Sequence, residues 1–343
     1  MKKLLNTLYI LSEDAYLALD GENVVAWKDK TIAGRIPLHT LTSIVCFSYK
    51  GASPALMGEC ASRGIDLVFF SPRGRFLARA SGANKGSLLL QKRQYEICSD
   101  EKLSCEIARN MLLGKVFNAR WVIERAKRDH PLQVDLERLK SRSQELARYL
   151  DEIKTAGNLE AIRGIEGAAA RSYFDVFNEL ILIDREEFRF KGRNRRPPID
   201  RVNAMLSLGY SLLTSDYASA LEGVGLDSRA GFLHADRPGR SSLALDMVEE
   251  LRSAFVDRAV LSAINKRIVS PTDFDVYQDG AVLLNEKGRK AFLEGGQAKK
   301  KDVIRHPYLD EKIEWGLVPH VQSLLLARYI RGDIDGYPPF LWK

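Results

Sequence analysis

Ser81-Gly82-Ala83-Asn84-Lys85-Gly86 is the stretch on which the fold turns. Small, polar, turn-forming residues follow one another here, so the segment reads as a linker. The hydrophobic period differs on its two sides. Before it, Tyr16-Leu17-Ala18-Leu19 and Val24-Val25-Ala26-Trp27 flank Asp20-Gly21-Glu22-Asn23, and Asp-Gly between β-formers predicts a hairpin. Ser43-Ile44-Val45-Cys46-Phe47 and Ile65-Asp66-Leu67-Val68-Phe69-Phe70 are further β-rich runs, and Ser71-Pro72-Arg73-Gly74 turns the chain into Arg75-Phe76-Leu77-Ala78. One short helix is predicted from Pro54 to Arg63, with proline in its first turn and Gly64 past its end. After the linker, from Leu88 onward, apolar residues recur every three or four positions. They predict helices over Ala108–Lys127, Leu136–Lys154, Asp200–Leu221 and Ser242–Asn265, with one small hairpin near Tyr277–Leu284 around Asp279-Gly280. The expected architecture is α+β: a small N-terminal mainly-β domain, residues 1–84, built on a single sheet, then a larger all-α domain, residues 85–343.

Length supports the division, since 343 residues is material for about two domains at roughly 100–200 residues each. With 45% hydrophobic and 28% charged residues, disorder and collagen-like structure are excluded. The longest uncharged stretches, Ile36–Tyr49 and Val202–Ser215, fall short of the roughly 18 apolar residues of a membrane span. Met1-Lys2-Lys3-Leu4-Leu5 resembles the start of a signal peptide, but Asn6 and Thr7 interrupt it and Glu13-Asp14 follow, so a cytoplasmic protein is expected. Cys46, Cys60, Cys98 and Cys105 form no Cys-x-x-Cys pair; buried, idle thiols are expected, with Cys98 and Cys105 on one helix face. The formal net charge of +7 is compatible with nucleic-acid binding and does not establish it.

Three segments carry residues capable of chemistry. In Arg163-Gly164-Ile165-Glu166-Gly167-Ala168-Ala169-Ala170-Arg171-Ser172-Tyr173-Phe174, glycines flank Glu166. A carboxylate there serves either a site or, if the helix starts nearby, the positive end of its dipole. In Gly231-Phe232-Leu233-His234-Ala235-Asp236, His234 is either a ligand or a structural histidine at a helix end. Next comes Ser242-Leu243-Ala244-Leu245-Asp246-Met247-Val248-Glu249-Glu250-Leu251-Arg252, where Ser241 or Ser242 can cap the helix. Asp246, Glu249 and Glu250 line one acidic stripe, readable as a solvated face or as ligands, Asp246 and Glu249 being able to reach one point. Taken together, carboxylate oxygens and one imidazole form a mostly hard donor set suited to Mg²⁺ or Mn²⁺ rather than to a closed zinc site.

At these residues the chain resembles the CRISPR-associated endonuclease and integrase of spacer acquisition, the larger of the two universal adaptation proteins. The resemblance rests on Gly164 to Phe174, on Leu233 to Arg252, on the helix Pro197 to Tyr210 between them, and on Gly114-Lys115-Val116-Phe117-Asn118-Ala119-Arg120 earlier. It extends over nearly the whole chain. It implies that the N-terminal β domain mediates a homodimer and that the helical domain is catalytic. It also implies that Glu166, His234 and Glu249 hold the divalent ion, with Asp246 a possible additional acidic residue. Glu rather than Asp stands at 249, a variation the family also shows.

The phosphate-facing inventory fits DNA. Arg185, Arg189, Lys191, Arg193, Arg195, Arg196 and Arg201 crowd one run; Arg163 and Arg171 bracket Glu166; Arg237, Arg240 and Arg252 bracket the His234 and Glu249 segments. Lys299-Lys300-Lys301 is read as a solvated loop. Tyr173 and Tyr210 are divided between DNA contact and core, and Asn203 is a candidate for orienting a neighbouring group or the DNA backbone. The expected partners are DNA (a protospacer, a CRISPR repeat, branched DNA) and a small second adaptation protein, with no membrane. The expected reaction is attack of a protospacer 3′-hydroxyl on a repeat phosphodiester. A branch-specific repair nuclease and a non-catalytic DNA-binding scaffold are the alternatives.

Overall fold

The computed structural model describes residues 6–80, 82, 88–194, 197–235 and 237–343. The chain divides into two compact units, Met1–Lys85 with Gln297–Lys301, and Gly86–Gly296 with Asp302–Lys343. Of the linker stretch only Gly82 lies among the described residues.

The N-terminal unit runs β1 (Thr7–Ile10), β2 (Tyr16–Asp20), β3 (Asn23–Lys28), β4 (Thr31–Pro37), β5 (Ser43–Cys46), α1 (Pro54–Arg63), β6 (Asp66–Phe70) and β7 (Phe76–Ala80). The predicted Asp-Gly hairpin joins β2 to β3, with Asp20 opposite Asn23 and Gly21 at φ +56°. The strands form two sheets instead of one. Antiparallel β2-β3-β4 is the first, and β1-β5-β6-β7 is the second, with β1, β5 and β6 parallel and β7 antiparallel. Parallel pairing of β5 with β6 requires a crossover, which α1 supplies. Ser53 caps that helix by accepting from the Leu56 amide at 3.2 Å. The core gathers Leu17, Val24, Leu38, Ile44, Leu56, Cys60 and Leu67.

The second unit begins with α2 (Leu88–Ser99), α3 (Glu101–Asp129), α4 (Leu136–Thr155), α5 (Leu159–Asp175) and α6 (Arg201–Gly223). Four of these starts are set by Asx caps: Asp100, Asp135, Asn158 and Asp200 each accept a backbone N–H three residues on. The Asp100 cap starts a new helix between Cys98 and Cys105, so these lie on different helices; Cys98 is half-buried, the other three cysteines are buried, and none forms a disulfide among the described residues. Next come α7 (Ser242–Leu251) and α8 (Arg258–Asn265). The continuous helix expected over Ser242–Asn265 is interrupted by a π-helical segment, Arg252–Asp257. Ser241 stands at the N-cap of α7 without donating or accepting a capping bond.

The helical unit also carries two hairpins. β8 (Phe274–Val276) pairs with β9 (Val282–Leu284) around Gly280, as the sequence predicts, and after α9 (Glu286–Lys301) β10 (Val303–Arg305) pairs with β11 (Lys312–Glu314). Lys299, Lys300 and Lys301 form the last turn of α9 rather than a loop. The unit closes with α10 (Val318–Arg331). No described helix is long and apolar enough to cross a membrane.

α3 is the axis of this unit and packs on α4, α5 and α7. Where α3 meets α7, Gly114 makes the approach possible: a Cβ there would lie 3.0 Å from Glu250 Cγ. One turn on, the buried Asn118 donates to the carbonyls of Glu250 (2.7 Å) and Phe340 (2.8 Å) and accepts from the Trp342 amide (2.8 Å). The C-terminal segment is thereby tied to the helix that carries Glu249.

Candidate active site

Glu166 lies near the middle of α5, about two turns in from Leu159. The dipole reading of its carboxylate therefore fails, and its partner is found on another helix. Lys115 of α3 extends its ammonium to Glu166 Oε1 and, at 2.7 Å, to Glu249 Oε2 of α7. Arg252 reaches the other oxygen of Glu249, Oε1, at 3.0 Å. Two carboxylates from distant segments thus meet at one cationic point.

The acidic stripe of α7 is buried, not solvated: Asp246, Glu249 and Glu250 are all inaccessible or nearly so. Each escapes the cost of a buried charge differently. Burial alone would push the Glu249 carboxyl up. Arg252 and then Lys115 outweigh it, with a further contribution from His234, and hold the group down at about 2. Glu250 has no cation; burial pushes it up to about 8 against the Gln322 and Tyr337 hydrogen bonds that favour its charged form.

Asp246 gathers the His234 loop. Its Oδ2 accepts from the amides of Phe232 (2.7 Å) and Leu233 (2.9 Å), and its Oδ1 from the amide of His234 (3.0 Å) and from His234 Nδ1 (2.5 Å). The ionised carboxylate can only accept, so Nδ1 is the donor, which in the neutral ring leaves the lone pair on Nε2. Gly231 belongs to the same device, since a Cβ there would lie 2.8 Å from Asp246 Oδ2 and 2.8 Å from Ser242 Cβ. Arg163 pins the loop from the α5 side by donating to the Leu233 carbonyl at 2.9 Å. Both oxygens of Asp246 are thus engaged, by four donors of the Phe232–His234 loop.

A cavity of about 650 Å³ opens beside Lys115 and Glu166, walled by Tyr173, Phe174, Phe190 and Tyr210 and by Arg171, Arg193 and Arg252. The π-helical segment brings both Arg252 and Asp257 to its wall, and such turns recur at functional sites because they re-aim side chains. Asp257 is buried and accepts from the Tyr210 hydroxyl at 2.5 Å. Burial pushes its carboxyl up to about 6, with Tyr210 and the Arg252 charge working the other way. The guanidinium groups of Arg193 and Arg252 lie 5.2 Å and 4.9 Å from the Tyr210 ring centroid.

The remaining sequence candidates divide. Arg171, on the cavity wall, and Arg237 are exposed, and Arg240 is half-buried. Tyr173 and Tyr210 are buried. Asn203 is fully buried, donating to the Gly192 carbonyl (2.8 Å) and Asp200 Oδ2 (2.7 Å) while Arg193 donates to it (2.7 Å). Arg185 and Arg201 bond to carbonyls of their own unit. Arg195 and Arg196 lie outside the described residues. Sequence reasoning missed Lys115, which stands inside a segment quoted for its resemblance, and Asp257, for which no local signal exists.

The donor chemistry suits a divalent cation: two carboxylates and an imidazole Nε2, with Glu249 Oε2 buried and lacking a directed hydrogen bond despite the ammonium beside it. Among the described residues no three His, Cys, Asp or Glu side chains stand as a ready-made cage. Lys115 holds the place between the two glutamates.

A family model, CRISPR associated protein Cas1, matches residues 8–297. Among curated proteins the chain is similar to CRISPR-associated endonuclease Cas1 1 of Chlorobaculum tepidum, 48% identical over 343 residues and covering 100% of both chains. It is also similar to CRISPR-associated endonuclease Cas1 2 of Rhodospirillum rubrum, 47% identical over 347 residues with 100% of both covered. Among solved structures, a casposase bound to its integration product superposes with a TM-score of 0.84 at 21% identity, over 97% of this chain and 92% of that one. A Cas6-RT-Cas1–Cas2 complex gives 0.83 at 21%, over 100% of this chain and 36% of that one. At these identities the two structures speak to the fold alone.

Proposed function

From the chain's membership of the Cas1 family we propose that it is a metal-dependent DNA integrase and endonuclease, which inserts new spacers into a CRISPR array. The observation that carries the reading is the meeting of Glu166 and Glu249 at one cationic point, with His234 held by Asp246 of the same helix, α7, that carries Glu249.

In this reading Glu166, Glu249 and His234 Nε2 hold Mg²⁺ or Mn²⁺. The bound ion supplies Lewis-acid polarisation of a phosphodiester and offsets charge in an in-line displacement. The chain's own residues prepare that site. Asp246 fixes the tautomer and the ring, Arg163 fixes the loop beneath it, and Arg252 keeps Glu249 ionised at neutral pH. The cavity beside them combines aromatic walls with Arg171 and Arg193, surroundings suited to a nucleotide and its phosphate.

The proposed reaction conserves phosphodiesters. The protospacer 3′-oxygen forms a bond to a repeat phosphorus, and the bond from that phosphorus to the neighbouring 3′-oxygen breaks. The proton lost by the attacking hydroxyl is balanced by the one the leaving oxygen gains. One ester replaces another, so no energy-rich co-substrate is needed; with water as nucleophile the same displacement cuts. Joining two ends requires two sites, for which a homodimer through the N-terminal unit and a small bridging second protein are proposed. A Cas6-RT-Cas1–Cas2 complex is among the proteins that share this fold.

The test combines supercoiled repeat-bearing DNA, a 3′-hydroxyl duplex and Mn²⁺, with and without the small partner. Joined product from the wild type and none from folded, DNA-binding Glu166→Ala and His234→Ala is the expected result. Junction cleavage without joining would make the protein a branch nuclease, and unchanged joining in both variants would remove these residues from the site.

A further inference from the structure

Lys115 is the cation that bridges both glutamates read to hold the ion. Its ammonium touches both glutamates, Arg252 takes the remaining oxygen of Glu249, and the lysine side chain is only 12% exposed. Two carboxylates and two cations make this cluster close to neutral as it stands. A divalent ion coordinating Glu166 and Glu249 needs the space between them, with oxygen contacts of about 2.0–2.2 Å for Mg²⁺. Adding it while the ammonium remained would leave an excess of two positive charges over these four groups. Glu249, Lys115 and Arg252 are largely buried and Glu166 is partly exposed, and such an excess is unfavourable where the surrounding dielectric is low.

We propose that Lys115 is a resident cation that the divalent ion must displace, so that metal loading is a cation exchange and not the filling of an open cage. The inference rests on the metal reading of the site. The lysine has somewhere to go, because it lines the same cavity as Glu166, Arg171 and Arg193. Its four-carbon stem lets the ammonium swing into that space without moving α3. While in place, Lys115 bridges two like-charged glutamates carried by different helices. Once displaced, it brings a positive charge to the cavity in which a phosphate would lie.

The exchange predicts opposite effects from two substitutions. Lys115→Gln removes the competitor and tightens Mn²⁺ binding by about tenfold or more, a 1.4 kcal/mol step. Lys115→Arg, whose planar fork suits two carboxylates better and is held by more hydrogen bonds, weakens Mn²⁺ binding by a similar factor. Free Mn²⁺ measured by electron paramagnetic resonance on the purified full chain gives both constants without any activity assay. Thermal melting supplies a second readout. In EDTA, Lys115→Gln melts below the wild type because Glu166 and Glu249 then repel, and added Mn²⁺ restores it by more than it raises the wild type.

Glu166→Gln separates the two layers of the argument. If wild type and Lys115→Gln bind Mn²⁺ equally while Glu166→Gln binds none, the ion site stands and the displacement is overturned. If neither wild type nor Lys115→Gln binds Mn²⁺, the metal reading is overturned and the exchange with it. Lys115→Arg binding Mn²⁺ as tightly as the wild type also overturns the exchange, and does so even where the glutamine variant does not fold.

Discussion

His234 Nδ1 lies 2.5 Å from Asp246 Oδ1, and the His234 amide donates to that same oxygen at 3.0 Å. One carboxylate therefore fixes the backbone, the ring orientation and the tautomer of a single histidine. The device needs an acceptor at both oxygens, since Phe232 and Leu233 also donate to Asp246.

Asp246→Asn tests it. An amide keeps one acceptor oxygen and turns an NH₂ toward backbone N–H donors, leaving buried donors unpaired at about 1–3 kcal/mol each. The variant is expected to retain helical circular dichroism, to melt well below the wild type, and to bind Mn²⁺ about 10–100-fold more weakly, as for other partners of ligating histidines. Wild-type stability and wild-type Mn²⁺ affinity together would show that Asp246 orients nothing.

The helical period placed α4 and α6 to within two residues and recovered most of α3, because long amphipathic segments declare themselves locally. What escaped was set by partners far off in the chain. Gly164 and Gly167 suggested a helix start at Glu166, whereas Asn158 caps the helix two turns earlier. The acidic stripe looked solvated because nothing near it in sequence announces Lys115, Gln322, Tyr337 or the Phe232–His234 amides. The π-helical shift at Arg252–Asp257 changes backbone pairing within one continuous apolar pattern and leaves no residue signature. The residues proposed to hold the ion were legible through motif resemblance; the lysine between two of them was legible only in space.

Glu250 predicts a pH dependence of stability. Gln322 Nε2 (2.8 Å) and the Tyr337 hydroxyl (3.0 Å) both donate to its Oε2. Burial raises its folded pKa from 4.5 to about 8, so the native state keeps a proton that the unfolded chain has lost. That contribution is complete below pH 4.5 and declines as pH rises through about 8. Glu250→Gln offers an oxygen to both donors and does not titrate. Urea unfolding is expected to show the wild type losing on the order of a few kcal/mol relative to the variant between about pH 5 and pH 8. Parallel profiles would mean that Glu250 is ionised throughout.

Tyr210→Phe removes the hydroxyl that donates to Asp257 at 2.5 Å. The folded pKa of Asp257, already raised by burial to about 6, is then expected to rise further, because a hydrogen bond to its charged form is lost. Its stabilising contribution, full below 3.8 and lost through about 6 in the wild type, then persists to higher pH. At neutral pH the variant is about 1–3 kcal/mol less stable, the cost of an unpaired buried acceptor. The difference in unfolding free energy should shrink as the pH is lowered toward 5. A constant difference across that range would detach Tyr210 from the ionisation of Asp257.

Arg171 is exposed on the wall of the cavity that Glu166 shares, and it is the candidate for a direct phosphate contact. Charge reversal there leaves the buried ion pairs of Lys115 and Arg252 untouched, so Arg171→Glu is expected to melt like the wild type. Branched DNA should bind more weakly. The plot of log affinity against log salt should also lose about 0.9 of slope for each phosphate contact removed from duplex DNA. A uniform drop in affinity with the slope unchanged would assign Arg171 to shaping the cavity instead, and an unchanged affinity would place the DNA path away from α5.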